Sequence, residues 1–161
     1  MLKNLKKLFT VILSLIILQG ITSLGVQANM LDKVNNPKDV KKLNVKEMNE
    51  LASDIRAGIL NRVNIMGGHL GPDLGIVEAT IAMHYVFNSP KDKFVFDVSH
   101  QTYPHKMLTG RKAAFTNPLE HLEISGYSNP VESQYDHFIM GHTSTSISLA
   151  TGMAKPRDIK G

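Results

Sequence analysis

Two of the seven histidines stand where a side chain could transfer protons. His69 is surrounded by three glycines in the segment Gly67–Gly71, and glycine there lets the backbone approach a ligand closely. His100 follows the short apolar run Phe94–Val98. An imidazole whose pKa lies near neutrality can accept and return a proton. Both histidines are therefore candidates for acid–base chemistry, and the alternative for each is a structural or solvated histidine.

The segment Gly141–Thr143, which contains His142, suits a different chemistry. Its capping and small residues predict the start of a helix, where unpaired backbone N–H groups and the helix dipole favour a phosphate. No P-loop pattern accompanies the segment, so ordinary helix capping remains the alternative. Lys106 and Arg111 could meet an anionic substrate, or could be solvated surface residues.

A metal site built from histidines is the weaker alternative. Histidine is a common zinc ligand, but the chain contains neither a His-x-x-x-His nor a His-Glu-x-x-His spacing. Cysteine is absent, which excludes a thiolate metal site, a cysteine nucleophile and a disulfide scaffold.

Helical elements of ordinary pattern must position these residues. Asn44 with Glu47 three residues later forms a capping box, and apolar residues recur at helical spacing from Met48 until Gly67. A second helix is predicted from about Asp73 to Phe87. A short helix is expected over residues 103–108, and a last one is expected to open at residues 141–146 and run to about 154.

Two short segments between these helices are typical of buried strands, namely Phe94–Val98 and Phe138–Met140. Helices that alternate with such strands predict an α/β fold with a parallel sheet. In such sheets ligands bind beyond the carboxyl ends of the strands. His100 and Gly141–Thr143 would both lie at those ends.

The charge is concentrated near the N-terminus. The formal net charge is +4, but residues 1–28 hold three lysines and no acidic residue, which leaves 15 basic against 14 acidic residues in the rest of the chain. A nucleic-acid groove needs basic residues clustered on one face. The sequence shows no such cluster, so a nucleic-acid partner is not expected.

The first segment resembles an export signal. A basic start is followed by the apolar run Leu8–Leu18 and by small residues at Val26 and Ala28, which is the order of a signal peptide. Residues 1–29 are therefore expected to be a signal-like segment or membrane anchor. The alternative is spurious upstream sequence before a start at Met30.

Taken together, the motifs of residues 30–161 resemble the N-terminal part of the 1-deoxy-D-xylulose-5-phosphate synthase family. Its members are thiamine-diphosphate-dependent enzymes of the transketolase type. The resemblance rests on five ordered motifs: Gly67–Gly71, Val77–Asn88, Asp97–Arg111, Ser125–Tyr127 and Gly141–Ser146. It implies a partial thiamine-diphosphate-binding domain, with the parallel sheet truncated before completion.

The resemblance also implies roles for single residues. His69 matches the active-site histidine thought to assist proton transfer near the thiazolium, and His100 matches a cofactor-contacting histidine. Gly141, His142 and Thr143 match the segment that wraps thiamine diphosphate. Departures from the family are few: Ser99 stands where many members have glycine, and Pro72-Asp73 where many have Ser-Ser or Ser-Asn.

The implied reaction is transfer of a two-carbon unit from pyruvate to glyceraldehyde 3-phosphate, with release of carbon dioxide. Its product feeds isoprenoid, thiamine and pyridoxal synthesis. The family's magnesium ion is held through a Gly-Asp-Gly motif that these residues lack, so no metal ligand is assigned here. The chain alone is therefore expected to be inactive, and the family is homodimeric.

Three interpretations of the chain follow. The first is a fragment of the synthase, from a frameshift, an early stop or an incomplete reading frame. The family's substrates occur in the cytoplasm, which is then the expected compartment. The second is a split transketolase-type subunit that needs a partner chain. The third is an exported or membrane-anchored binding module without catalysis, which would use residues 1–28 for export or anchoring.

Overall fold

The computed structural model describes residues 29–160, so the signal-like segment lies outside the described residues. Within residues 29–160, no helix is both long and apolar enough to cross a membrane. The helices are α1 (Pro37–Val40), α2 (Val45–Met66), α3 (Leu70–Gly75), α4 (Val77–Val86), α5 (Tyr103–Lys106), α6 (Ala113–Thr116) and α7 (Thr145–Lys160). Two 3-10 helices, Met30–Lys33 and Pro118–Glu123, and a wide π-type turn, Met107–Arg111, join them.

Helix α2 begins and ends where the sequence predicts. Asn44 Oδ1 accepts the Glu47 N–H at 3.0 Å, and the Glu47 carboxylate accepts the Asn44 N–H at 2.9 Å. The helix ends at Gly67, whose φ of +71° is in the left-handed region that glycine adopts freely. Leu51 and Ile55 are fully buried on its apolar face. This face organises the core against which the shorter helices pack.

The predicted second helix is two helices. The chain from Leu70 to Val86 breaks at Ile76, where φ is −105° and ψ is 2°. Helix α3 therefore starts directly after His69, three residues earlier than the pattern indicated. Val77 and Ile81 on α4 are buried, whereas Tyr85, which the helical spacing places on the same face, is 42% exposed.

A buried arginine joins α2 to the helices that follow residue 103. The guanidinium carbon of Arg62 lies 5.5 Å from the ring centroids of both Tyr103 and Phe115. The same group donates to the carbonyl oxygens of His121 and Ile124. A buried cation that is satisfied by carbonyl oxygens and aromatic faces fixes the position of these segments.

The segment after residue 29 is tied to α6 by one lysine. Lys112 Nζ donates to the carbonyl oxygens of Leu31, Asp32 and Val34 at 2.8 to 2.9 Å. Leu31 itself is fully buried in the core. Residues 30–34 are therefore an integral part of this domain.

The structure describes no strand within residues 29–160, so the predicted parallel sheet is not confirmed in this part of the chain. Phe94–Val98 and Phe138–Met140 are not strands and form no backbone ladder with each other. A side chain links them instead, because Ser99 Oγ donates to the carbonyl oxygen of Met140 at 3.3 Å. A strand is stabilised by hydrogen bonds to a neighbouring strand, and the described residues provide none.

Helix α7 is the least integrated element. It begins at Thr145, four residues after the predicted opening at Gly141, and none of its residues is buried against the rest of residues 29–160. Ile147 and Ile159 are each more than 70% exposed. Only its first turn is held in place, by contacts at the candidate site.

Candidate functional site

His69 and His100 lie in ring contact. Their centroids are 5.0 Å apart and their planes are inclined at 72°. His69 is exposed, whereas His100 is partly buried. His100 Nδ1 is buried and has no hydrogen-bond partner among residues 29–160. A buried polar nitrogen without a partner is costly, so this nitrogen is suited to a bound group that completes its hydrogen bonding.

Two glycines bring His69 to this contact. Gly67 and Gly68 both have positive φ, +71° and +134°, which reverses the chain between α2 and α3. A Cβ atom on Gly68 would lie 3.3 Å from the Tyr103 hydroxyl oxygen. Glycine is therefore needed both for the backbone conformation and for the close approach of Tyr103.

A strained turn presents His100. Val98 and Ser99 have φ of +56° and +69°, and the Ser99 N–H donates to Asp97 O at 2.5 Å. Such conformations are rare for residues with a side chain, and they persist where the surrounding structure holds them. Ser99 supplies part of that support, because its Oγ accepts the Ser128 N–H at 3.0 Å. The positive φ also gives a physical reason why glycine suits position 99.

The loop that contains Gly141, His142 and Thr143 is fastened beside this turn. The Asp97 carboxylate accepts the N–H of Ser144 at 3.0 Å and of Ser146 at 3.2 Å. These two bonds hold the pKa of Asp97 below its ordinary value. Gly141–Thr143 themselves are exposed. The helix-start N–H groups of Ser144 and Ser146 are thus occupied by a carboxylate of the chain itself, while the three preceding residues face solvent.

The sequence-predicted residues are therefore only partly brought together. His69 and His100 touch. Gly141–Thr143 make no such contact themselves, but Ser144 and Ser146, which follow them, are bound to Asp97, three residues before His100. His142 makes no ring contact with another aromatic side chain among residues 29–160. Within the same residues, no three His, Asp or Glu side chains cluster in a way that could hold a metal ion.

A buried polar chain that no sequence pattern indicated links α4, α5 and Asp136. His84 Nε2 and His105 Nδ1 are 3.0 Å apart, and His105 Nε2 lies 3.2 Å from Asp136 Oδ1. Arg111 binds both oxygens of Asp136, at 2.8 and 2.9 Å. Because a carboxylate only accepts, the proton of neutral His105 is on Nε2, and the bond from His84 is donated by its Nε2–H.

Burial sets the protonation states in this chain. It lowers the pKa of His84 to about 3, aided by the positive charges of a protonated His105 and of Lys41. It also lowers the pKa of His105, against the pull of Asp136. Burial alone would raise the pKa of Asp136, but the hydrogen bonds from His105 and Arg111 outweigh it and lower that pKa. The two histidines are thus neutral and the carboxylate is ionised at neutral pH.

Lys106 extends the same cluster. It is fully buried, and its Nζ lies 2.5 Å from Glu132 Oε2, which Arg111 also contacts at 3.2 Å. The other oxygen of Glu132 accepts the Ser125 N–H at 2.7 Å. Lys106 and Arg111 are therefore paired with carboxylates of the chain itself. They hold residues 125–136, from which the chain runs to Gly141.

No short sequence motif predicts this cluster of buried charged residues. Lys106 and Arg111 lie five residues apart, on different turns, and their acidic partners lie in an irregular segment. One sequence feature could have indicated the cluster: Glu132 and Asp136 are the only charged residues between residues 124 and 136. Their pairing depends on the path of the chain, which local patterns do not determine.

Comparisons with known proteins agree with the motifs. A family model described as 1-deoxy-D-xylulose-5-phosphate synthase matches residues 31–161. Proteins of that name from Dictyoglomus turgidum and Methylacidiphilum infernorum are 52% and 50% identical over 132 residues, which cover 82% of this chain and 21% of each relative. A chloroplastic 1-deoxy-D-xylulose-5-phosphate synthase 1 of Oryza sativa is 49% identical over 82% of this chain and 18% of its own length. The chain spans about a fifth of the length of the curated relatives it matches.

Proposed function

The chain belongs to the 1-deoxy-D-xylulose-5-phosphate synthase family, and we propose that residues 30–161 contribute part of the thiamine diphosphate site of such an enzyme. The reaction joins a two-carbon unit of pyruvate to glyceraldehyde 3-phosphate and releases carbon dioxide. Pyruvate and glyceraldehyde 3-phosphate are then its small-molecule partners, and a second copy of the chain is its proposed protein partner. Because these substrates are cytoplasmic metabolites, we propose the same compartment for the protein.

The observation that supports this proposal most is the His69–His100 contact. It combines an exposed imidazole with a second imidazole whose buried Nδ1 lacks a partner among the described residues. The exposed residues Gly141–Thr143 are anchored beside it through Asp97. This arrangement fits an organic cofactor that forms a hydrogen bond with His100 Nδ1 and lies along the loop Gly141–Thr143. It provides no cluster for magnesium within residues 29–160.

Thiamine diphosphate, when bound, supplies the nucleophilic carbon and the electron sink that the decarboxylation of pyruvate requires. The residues of this chain then have three tasks. His100 orients the cofactor by a hydrogen bond from or to Nδ1. His69, free in solvent at the start of α3, moves protons to and from the reacting oxygen atoms. Gly141, His142 and Thr143, which are exposed, line the cofactor.

We also propose that Phe94–Val98 and Phe138–Met140 pair as strands when further strands from outside residues 29–160 lie beside them. The two segments are neighbouring, since Ser99 Oγ donates to Met140 O at 3.3 Å, although the φ of Val98 is +56° in the present turn. Slow hydrogen exchange of their amides is then expected in the protein at the length at which its cells make it. Fast exchange of all these amides would contradict the sheet.

Cofactor affinity tests the main proposal. The protein is purified at the length found in its own cells, and thiamine diphosphate binding is measured by calorimetry with magnesium in the buffer. Loss of the His100 contact in His100→Gln is expected to weaken binding about tenfold, which is the effect of one hydrogen bond of about 1.4 kcal/mol. His137→Gln, which changes a partly buried histidine outside the ring pair, is the matched control. Equal affinity of His100→Gln and wild type, or no binding by either, contradicts the proposal.

A further inference from the structure

Asp73 is a buried carboxyl group with an incomplete set of partners. It lies in α3 and has no exposed surface. Its Oδ1 accepts the Tyr103 N–H at 3.0 Å. Its Oδ2 is buried without a hydrogen-bond partner in the part of the chain that the structure describes. A carboxylate in such a place is unfavourable, because ionised oxygen atoms need several donors or a cation.

The bond to Tyr103 connects the two segments that carry the histidine pair. Helix α3, which holds Asp73, begins at the residue after His69. Tyr103 opens α5, three residues after His100. The ring of Tyr103 approaches the same loop from its other end, since its hydroxyl would lie 3.3 Å from a Cβ on Gly68. Tyr103 thus contacts both ends of the loop that presents His69.

No charged side chain of residues 29–160 forms a hydrogen bond with the Asp73 carboxyl. Charged and titratable groups on the adjoining elements include Arg56 and Arg62 on α2, Glu78 and His84 on α4, and Tyr103, His105 and Lys106 on α5, besides His69 and His100. His84, His105 and Lys106 are bound within the buried cluster described above. Arg56 pairs with Glu78 at 2.7 Å, and Arg62 is bound by carbonyl oxygens. None of these side chains bonds to the Asp73 carboxyl among residues 29–160.

We propose that Asp73 is a positioning residue for the His69–His100 pair: its buried carboxyl holds the start of α5 against the helix that follows His69. The importance of the pair for catalysis rests on the function proposed above, whereas the contact between the rings does not. Nothing in the family motifs requires an acid here, because Asp73 stands where many members have serine or asparagine.

The neutral form of the carboxyl is the one that fits this role. Burial raises the pKa of Asp73 to about 7, against the opposing effect of the Tyr103 N–H. Ionisation near neutral pH therefore creates a buried negative charge with one donor. Water must reach Oδ2 to relieve it, and the segments on either side must part to admit that water. The histidine contact is then weakest above neutral pH.

The ring contact itself is the readout. In the full chain without cofactor, the NOE between the ring protons of His69 and His100 is measured by NMR from about pH 5.5 to about pH 8.5, with resonances assigned from His69→Gln and His100→Gln. Asp73→Asn keeps an oxygen acceptor for Tyr103 and stays neutral at every pH. Asp73→Ala removes the acceptor. Asp92→Asn is the matched control, because Asp92 also accepts a backbone N–H, that of Asn88 at 2.6 Å, but in an exposed turn.

Wild type and Asp73→Asn are expected to agree at the acid end and to diverge on raising the pH, with the wild-type NOE reduced to about half near the midpoint of Asp73 ionisation. Comparing the two proteins cancels the titration of the histidines themselves. Asp73→Ala is expected to lack the contact at every pH, and Asp92→Asn to follow wild type. If Asp73→Ala does not fold, the comparison of wild type with Asp73→Asn carries the test.

Two results would overturn the inference. One is a wild-type ring contact in folded Asp73→Ala. The other is an identical pH dependence of the contact in wild type and Asp73→Asn. Because no cofactor is present, a failure of thiamine diphosphate to bind would contradict the proposed function and leave this result unaffected.

Discussion

The imidazole rings of His69 and His100 meet edge to face, with 5.0 Å between their centroids. One ring follows the glycine turn after the long helix α2, and the other follows the strained turn at Val98 and Ser99. Two separate turns with positive φ angles thus bring the two rings into contact. Asp73, four residues after His69, accepts the Tyr103 N–H, and the hydroxyl of Ser99, directly before His100, accepts the Ser128 N–H.

Replacing His69 is expected to slow the reaction without weakening cofactor binding. In the protein at the length found in its own cells, His69→Gln is expected to lower release of carbon dioxide from pyruvate about 10²- to 10⁴-fold, the usual contribution of a general acid–base group. Thiamine diphosphate affinity, measured by calorimetry, should change little because His100 and Gly141–Thr143 remain. His137→Gln should affect neither quantity. A His69→Gln protein with a normal rate and weakened binding would reverse the assigned roles of the two histidines.

Replacing Asp136 is expected to destabilise the fold strongly. Asp136→Asn removes the charge that binds Arg111 through both oxygens while keeping the shape of the side chain. A buried cation that loses its partner costs about 3 to 5 kcal/mol, and the lower end is expected here because Glu132 still contacts Arg111. Urea unfolding followed by circular dichroism measures the change.

Glu50→Gln is the control for that comparison. Its partner Lys46 lies 3.9 Å away, and both side chains are largely exposed. Removal of such a surface pair is expected to change the free energy of unfolding by less than about 0.5 kcal/mol. Similar losses in both variants would show that the buried cluster contributes no more than a surface pair.

Acid is expected to destabilise the protein through His84. The pKa of His84 is about 3 in the folded protein, below its ordinary value of 6.5. Between these values the unfolded chain binds a proton that the folded protein does not, so the free energy of unfolding falls as the pH falls through this range. His84→Gln keeps a donor for His105 but does not titrate, and it should show a shallower pH dependence.

Asp73 acts in the opposite direction over much of the same range. Its pKa is raised in the folded protein, so its contribution to stability is largest in acid and is lost as the pH rises towards about 7. Each group is therefore isolated by comparing wild type with its own non-titrating variant. Equal pH dependence of stability in wild type and His84→Gln would show that His84 is not buried in its neutral form.

Removing the hydroxyl of Ser99 is expected to loosen the site. Ser99→Ala leaves the Ser128 N–H and the Met140 carbonyl without their shared partner, at a cost of about 1 to 3 kcal/mol. Thermal unfolding measures this loss. Ser148→Ala removes a hydroxyl that bonds only within the exposed helix α7 and is expected to be nearly neutral. Equal stability of both variants would mean that Ser99 does not brace the turn.

Local features of the chain were predictable to the extent that their causes are local. Asn44 and Glu47 specify the start of α2 because both bonds of the capping box form within four residues. The burial of Leu51 and Ile55 follows from their helical spacing. The break at Ile76 was not predicted, because the apolar pattern continues through both helices and a single residue, Gly75, interrupts it.

Neither the absence of strand pairing nor the buried ion pairs could be predicted from neighbouring residues within the described part of the chain. Phe94–Val98 has the composition of a strand, but a strand forms only beside another strand, and its neighbour Phe138–Met140 is connected through Ser99 rather than through a backbone ladder. Lys106 looks like a surface residue in the sequence. It is fully buried, and its ammonium group pairs with the carboxylate of Glu132, which lies 26 residues away in the sequence.

The family, the long capped helix and the two candidate histidines could be read from the sequence, because motifs, caps and periodicity are encoded in neighbouring residues. The folded chain was needed to show that His69 meets His100, that Asp73 is enclosed between their segments, and that Arg111 pairs with Asp136. These are contacts between distant parts of the chain. Their energies depend on burial and on the distance between charged groups, and both exist only once the chain has folded.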